Sequence, residues 1–176
     1  MVRWALALAA AIDRLNAGVG RAARWLVLGM LLIQLASVVL RYAFGSSYIF
    51  LSEAVLYLHA GLFMLGAGYT LFCDAHVRVD IVYSRLSSRG RALIDLLGTV
   101  VFLWPTTIAV GVFTFNFVAN SWAVLEGPLS VGGIPAVFAL KTLIPVFAGL
   151  IFLQGIAWAI RCALELTGHA HQDRAG

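Results

Sequence analysis

The chain has 176 residues, 62% of them hydrophobic and only 11% charged, with a mean hydropathy of +0.96. A soluble domain carries about 25% charged residues, so an ordinary water-soluble globule is excluded. The formal charge of +4 comes from arginines at the edges of apolar runs rather than along one soluble face. That placement suits anionic lipid headgroups and argues against nucleic acid as a partner.

Residues 1–22 open with Arg3 and a short apolar run, Trp4–Ile12. With Ala-x-Ala at Ala7/Ala9 or Ala9/Ala11, this could be read as a signal peptide. However, Asp13, Arg14, Arg21 and Arg24 follow, and cleavage would send those arginines across the membrane. The preferred reading is an interfacial amphipathic helix with Trp4, Leu8, Ala11, Ile12 and Leu15 on one face and Arg3, Arg14 and Arg21 on another.

Four stretches then carry no charge at all: Trp25–Leu40, Ala54–Cys73, Leu96–Leu125 and Thr142–Ile160. About 20 apolar residues cross a bilayer as a helix. The sequence therefore predicts an all-α membrane protein with four transmembrane helices, over about 24–44, 52–73, 92–118 and 136–161. These make a transmembrane domain of residues 23–165, and 166–176 form a tail. Arginine and lysine alternate between the connections. The N-terminal segment, the second connection and the tail hold ten of the twelve, leaving Arg41 and Lys141 for the first and third connections. Positive residues stay inside, which predicts an N-in/C-in topology with the tail cytoplasmic.

Within this frame, Arg41-Tyr42 closes the first span and Gly45-Ser46-Ser47 turns the chain. Ser52-Glu53 stands where a hydroxyl cap and an acidic charge favour a helix start. Arg41 and Glu53 fall on one side of the membrane across a short loop, so an ion pair between them is expected. Gly61, Gly66 and Gly68, and separately Gly155, Ala159 and Ala163, form small-residue seams that let helices approach. Pro105 should kink the third span. Phe113, Phe115, Phe117 and Trp122 mark its outer boundary. Pro135 suits the first turn of the last helix, in which Lys141 can snorkel outward.

The second connection should be a short amphipathic piece followed by a turn at Ser87–Gly90. Its densest polar cluster is His76-Val77-Arg78-Val79-Asp80. It reads equally as a solvated boundary or as a strip contacting a partner or headgroups. Cys73 and Cys162 fall at the cytoplasmic ends of their spans, where a disulfide is disfavoured. Neither a CxxC nor a Cys/His cluster supports a metal site. His59 is the one histidine deep in an apolar run. As a haem ligand it lacks a second intramembrane histidine. As a proton carrier, either it or Glu53 could serve in a self-sufficient small proton-coupled exporter. No paired carboxylates, nucleophile signature or phosphate-cradling loop points to an enzyme.

The chain resembles the small membrane subunit (DctQ-like) of tripartite ATP-independent periplasmic transporters, or TRAP transporters. The residues that carry the likeness run in order from Ile12-Asp13-Arg14-Leu15-Asn16 and Gly20 through Arg41-Tyr42-Ala43-Phe44-Gly45, Ser52-Glu53, Leu65-Gly66-Ala67 and His76–Asp80. They end with Lys141-Thr142-Leu143-Ile144-Pro145 and Leu153-Gln154-Gly155-Ile156-Ala157. Ser52 departs from the family's frequent second acidic residue. The resemblance implies a multi-pass protein of the bacterial inner membrane, partnered by a large membrane subunit and a periplasmic substrate-binding protein. It implies sodium-coupled uptake of organic acids, with the substrate and sodium sites in the large subunit and no cofactor in this chain. Arg41, Glu53, His76, Arg78 and Asp80 are the structural or interface residues it suggests.

Overall fold

In the computed structural model, which describes residues 2–75, 83, 86–128 and 130–167, the described residues are helical apart from their connections. The helices are α1 (Val2–Phe44), α2 (Ile49–Phe72), α3 (Ser88–Gly98), α4 (Trp104–Ala123) and α5 (Val137–Leu166). A π-helical turn, Thr99–Leu103, joins α3 to α4. Four helical segments are long and apolar enough to cross a membrane: α1, α2, the continuous run Ser88–Ala123, and α5.

The α1 helix shows the clearest departure from expectation. It runs 43 residues without a break, about 64 Å at 1.5 Å per residue, roughly twice a bilayer core. The boundary expected near residue 22 is therefore not a helix end. The amphipathic face also divides. Ala9 and Ile12 are buried against Ala157 of α5, whereas Trp4, Leu8 and Leu15 stay open. At its far end Gly45 takes φ +65°, and Ser46 N–H donates to Leu40 O at 3.0 Å. Only glycine adopts this left-handed helix stop without strain.

Helix α2 starts at Ile49 after Tyr48, with no side-chain cap. Ser52 is thus inside the helix and not its cap, contrary to the sequence expectation. Pro105 falls at a local irregularity of the third span. Proline has no N–H, and its ring crowds the carbonyl four residues back. The chain widens to a π turn just before it, with Trp104 N–H reaching Thr99 O. Thr107 Oγ1 donates to Leu103 O (2.9 Å) and Trp104 O (3.1 Å), the back-bond of a helical hydroxyl. Pro135 lies two residues before α5, whose cap position is Ala136. Pro145 is the proline inside it.

Helix α5 is the axis of the bundle, since α1, α2, α3 and α4 all pack on it. Its contact face is made of small residues: Ala148, Gly155, Ala157 and Ala159 are buried. Small side chains allow the close backbone approach that holds helices together in lipid. Of the two seams read from sequence, Gly61 meets Leu26 of α1 and Gly68 meets Asn16 and Leu150, but Gly66 faces open space. Gly155 abuts Leu103 and Trp104, whereas Ala163 is exposed.

Candidate functional site

Two polar clusters organise the bundle, one near each end of α5. The first joins α1, α2 and α5 toward the arginine-rich end. Asn16 and Gln154 are fully buried, and Asn16 Nδ2 donates to Gln154 Oε1 at 2.8 Å. Gln154 Nε2 donates onward to Asp13 Oδ1 at 2.9 Å. Asp13 Oδ2 accepts from Arg161 Nη2, an ion pair that closes the chain. Among the described residues Asn16 Oδ1 has no hydrogen-bond partner, and it lies against the backbone of α2 at Gly68, where a Cβ would overlap it. Gly68 is therefore required by this close approach.

Helix periodicity makes the clasp. Asp13 and Asn16 are three apart, Gln154 and Arg161 seven apart, so each pair shares a helix face. Buried amides and a carboxylate in apolar surroundings are stable only when they satisfy one another. Chemically the cluster is a fixed joint, with each side chain but one atom committed to a neighbouring helix.

The second cluster lies at the arginine-poor end, under the α4–α5 loop. Glu53 Oε2 accepts from Ile134 N–H at 2.6 Å, and its carboxylate fills the space where a Gly133 Cβ would stand. Tyr57 OH donates to Ile134 O at 3.5 Å. On the other side of the loop, Leu125 takes φ 44° and turns Glu126 back onto α4. Glu126 Oε2 accepts from Ser121 Oγ at 2.6 Å and from Lys141 Nζ at 2.5 Å. The Lys141 hydrogen bond, followed by that from Ser121, holds the Glu126 carboxyl below the usual carboxylate range. Lys141 also lies over the Phe117 ring, 4.0 Å from its centroid.

Among the sequence-derived candidates, Arg41 and Glu53 are both at this end but do not pair. Arg41 Nη2 donates to Ser47 Oγ at 3.2 Å, while Glu53 turns to the loop amide. The expected ion pair is corrected to two separate contacts. The reason is the α4–α5 loop, which offers Glu53 a backbone donor within its reach. His76, Arg78 and Asp80 lie outside the described residues. His59 is exposed on α2, in an edge-to-face contact with Phe63 at 4.8 Å.

The sequence reading did not single out Asp13, Asn16, Gln154 or Arg161 as site residues. The available signal was Gln154, an amide in the middle of a charge-free run, since lipid makes such a group costly without a partner.

The described geometry is thus a static helical joint plus a pinned loop, in a bundle with four membrane-length apolar helices. The family model for tripartite ATP-independent periplasmic transporters, DctQ component, matches residues 30–165. The chain belongs to the DctQ family. No curated protein and no solved structure matches it. The matched region contains both the Glu53–Ile134 anchor and Gln154 of the clasp. The α1 half of the clasp, Asp13 and Asn16, precedes it. As a DctQ component the protein is a small membrane subunit of a TRAP transporter.

Proposed function

We propose that this DctQ protein is the scaffolding small permease subunit of a TRAP importer, holding the large membrane subunit while it carries organic acids in with sodium. The periplasmic binding protein delivers the cargo. The chain sits in the bacterial inner membrane with both ends and the arginine-rich connection cytoplasmic, which puts Glu53, Glu126 and Lys141 on the periplasmic side. Residues 2–22 continue α1 toward the cytoplasmic side, where Arg3, Arg14 and Arg21 meet anionic headgroups.

The family match carries this reading. The geometry supports it, because the polar groups inside the bundle are spent on tying helices together: Asn16 and Gln154 on each other, Asp13 on Arg161. A scaffold needs such fixed joints, whereas a moving carrier needs polar groups free to exchange partners. The alternative exporter would use Glu53 or His59. Glu53 is committed to the Ile134 amide, and His59 faces out of the bundle beside Phe63.

The test is co-expression with the neighbouring genes, purification through a tag on this chain, and reconstitution. A larger membrane protein retained in equal amount, with uptake that needs both subunits and the binding protein, is the expected result. Transport by this chain alone in liposomes would refute the proposal.

A further inference from the structure

The α1–α2 pair exposes polar side chains at a depth where lipid can satisfy none of them. On α1, Val27, Leu31, Gln34, Val38 and Arg41 recur at spacings of four and three and share one face. Gln34 is exposed, about 15 Å along the helix from Arg24 and about 10 Å from Arg41 at 1.5 Å per residue. That places its amide near mid-membrane. Among the described residues its side chain has no hydrogen-bond partner. On α2, Ser52, Leu56, His59 and Phe63 form the matching exposed stripe. His59 packs edge-to-face on the ring of Phe63.

Two hollows lie along the α1–α2 seam. The one at the arginine-poor end, about 240 Å³, is lined by Gln34, Ser37, Arg41, Ser52 and Val55. The other, about 550 Å³, is lined by Gly20, Val27, Phe63, Gly66 and Thr70. The α1 residues of both hollows lie on the same face by helical rotation, as do those of α2, so the two make an interrupted groove on one side of the seam. A Cβ at Gly66 would meet nothing among the described residues, so the groove is open there. By contrast, the exposed side chains of α4 include Val112, Phe113 and Phe115, which acyl chains cover without cost.

A carboxamide and an imidazole facing hydrocarbon each lose their water without replacement. Polar side chains in a bilayer face protein or a water-filled cavity. Resting on the reading of this chain as the small subunit, we propose that the α1–α2 face bearing Gln34, Ser37, Arg41, Ser52 and His59 docks the large membrane subunit. The docking helix presents hydrogen-bonding groups at the depth of Gln34 and His59. Small residues or glycine on that helix would let it enter the groove over Gly66.

The test uses the complex co-expressed with the large subunit. A photo-crosslinking residue is placed singly at Leu31, Val38 or Leu56 on the groove, and at Val112 or Phe113 on α4. Crosslinks to the large subunit from the groove positions and not from α4 are expected. Gln34→Leu and His59→Leu should each reduce recovery of the large subunit about three- to tenfold, while the yield of this chain expressed alone holds or rises. Co-purification with crosslinks from α4 only overturns the surface and leaves the subunit reading intact. A crosslinked product at twice the chain's own mass overturns it in favour of a second copy. If no larger membrane protein is retained by the wild-type chain, both the surface and the subunit reading fall.

Discussion

Asn16 and Gln154, 138 positions apart, meet at 2.8 Å where both side chains are wholly buried. With the bonds from Gln154 and Arg161 to Asp13, this hydrogen bond fixes the rotation of α1 against α5, because the surrounding contacts, Ala9, Ile12 and Ala157, are smooth and apolar. Asn16→Ala and Gln154→Ala should each destabilise the bundle by about 1 kcal/mol or somewhat more. The double variant should cost less than the two losses added, as expected for residues in direct contact. Unfolding in mixed micelles at increasing denaturant would measure the cycle. Strict additivity would show that the pair is not coupled.

The three glycines of α2 should behave differently although they look alike in sequence. Gly68→Ala drives a methyl into Asn16 Oδ1 and against Leu150 Cβ, atoms held by the clasp, and should cost about 1–3 kcal/mol. Gly61→Ala meets only the mobile end of Leu26 and should cost less. Gly66→Ala enters open space and should leave the stability of the isolated chain within about 0.5 kcal/mol of wild type. Thermal unfolding of the purified subunit ranks the three, and an equal loss at all three would contradict this packing.

Glu53 anchors the loop and Arg41 does not. Glu53→Gln keeps an acceptor for Ile134 N–H, so the loop should stay protected from hydrogen exchange. Glu53→Ala should raise exchange across residues 130–136. Reversing both charges, Arg41→Glu with Glu53→Arg, should rescue nothing relative to Glu53→Arg alone. A rescue would restore the ion pair expected from sequence and refute the anchoring geometry.

Glu126 makes stability at this end depend on pH. Its folded pKa is depressed by hydrogen bonds from Lys141 and Ser121. A depressed carboxylate contributes stability that is complete above the unfolded pKa and is lost as pH falls through the folded value. The stability gap between wild type and Glu126→Gln should therefore be constant at neutral pH and shrink only in acid below the usual carboxylate range. The contribution is small for a pair open to solvent, and salt should reduce it. Thermal unfolding against pH for the two proteins reads it directly. A gap that widens in acid would show the sign to be wrong.

Much of this architecture could be read from residue order. Four charge-free runs gave four long apolar helices. Of these, α1 and α2 end at Phe44 and Phe72, within a residue of the expected span limits, whereas the third and fourth run five residues past theirs, to Ala123 and Leu166. Local chemistry was read less well. Ser52-Glu53 carries the residue types of a helix start, yet α2 begins three residues earlier. In a membrane the apolar run, not the cap, sets where a helix can begin. Pro105 was read as a kink, and a π turn stands just before it, a backbone choice that residue types alone do not reveal.

The sequence by itself determined that lipid is this protein's solvent and that helices are its only way through, because charge and hydropathy act locally and need no neighbours. It also carried the family likeness, which the match over residues 30–165 bears out. Only the tertiary structure decided partners: that Glu53 takes the Ile134 amide rather than Arg41, that Gly68 is filled by Asn16 while Gly66 stays open, and that α5 is the axis. Contacts between residues more than a hundred positions apart depend on how helices rotate against each other. Similar glycines and amides leave that rotation undetermined until they are packed.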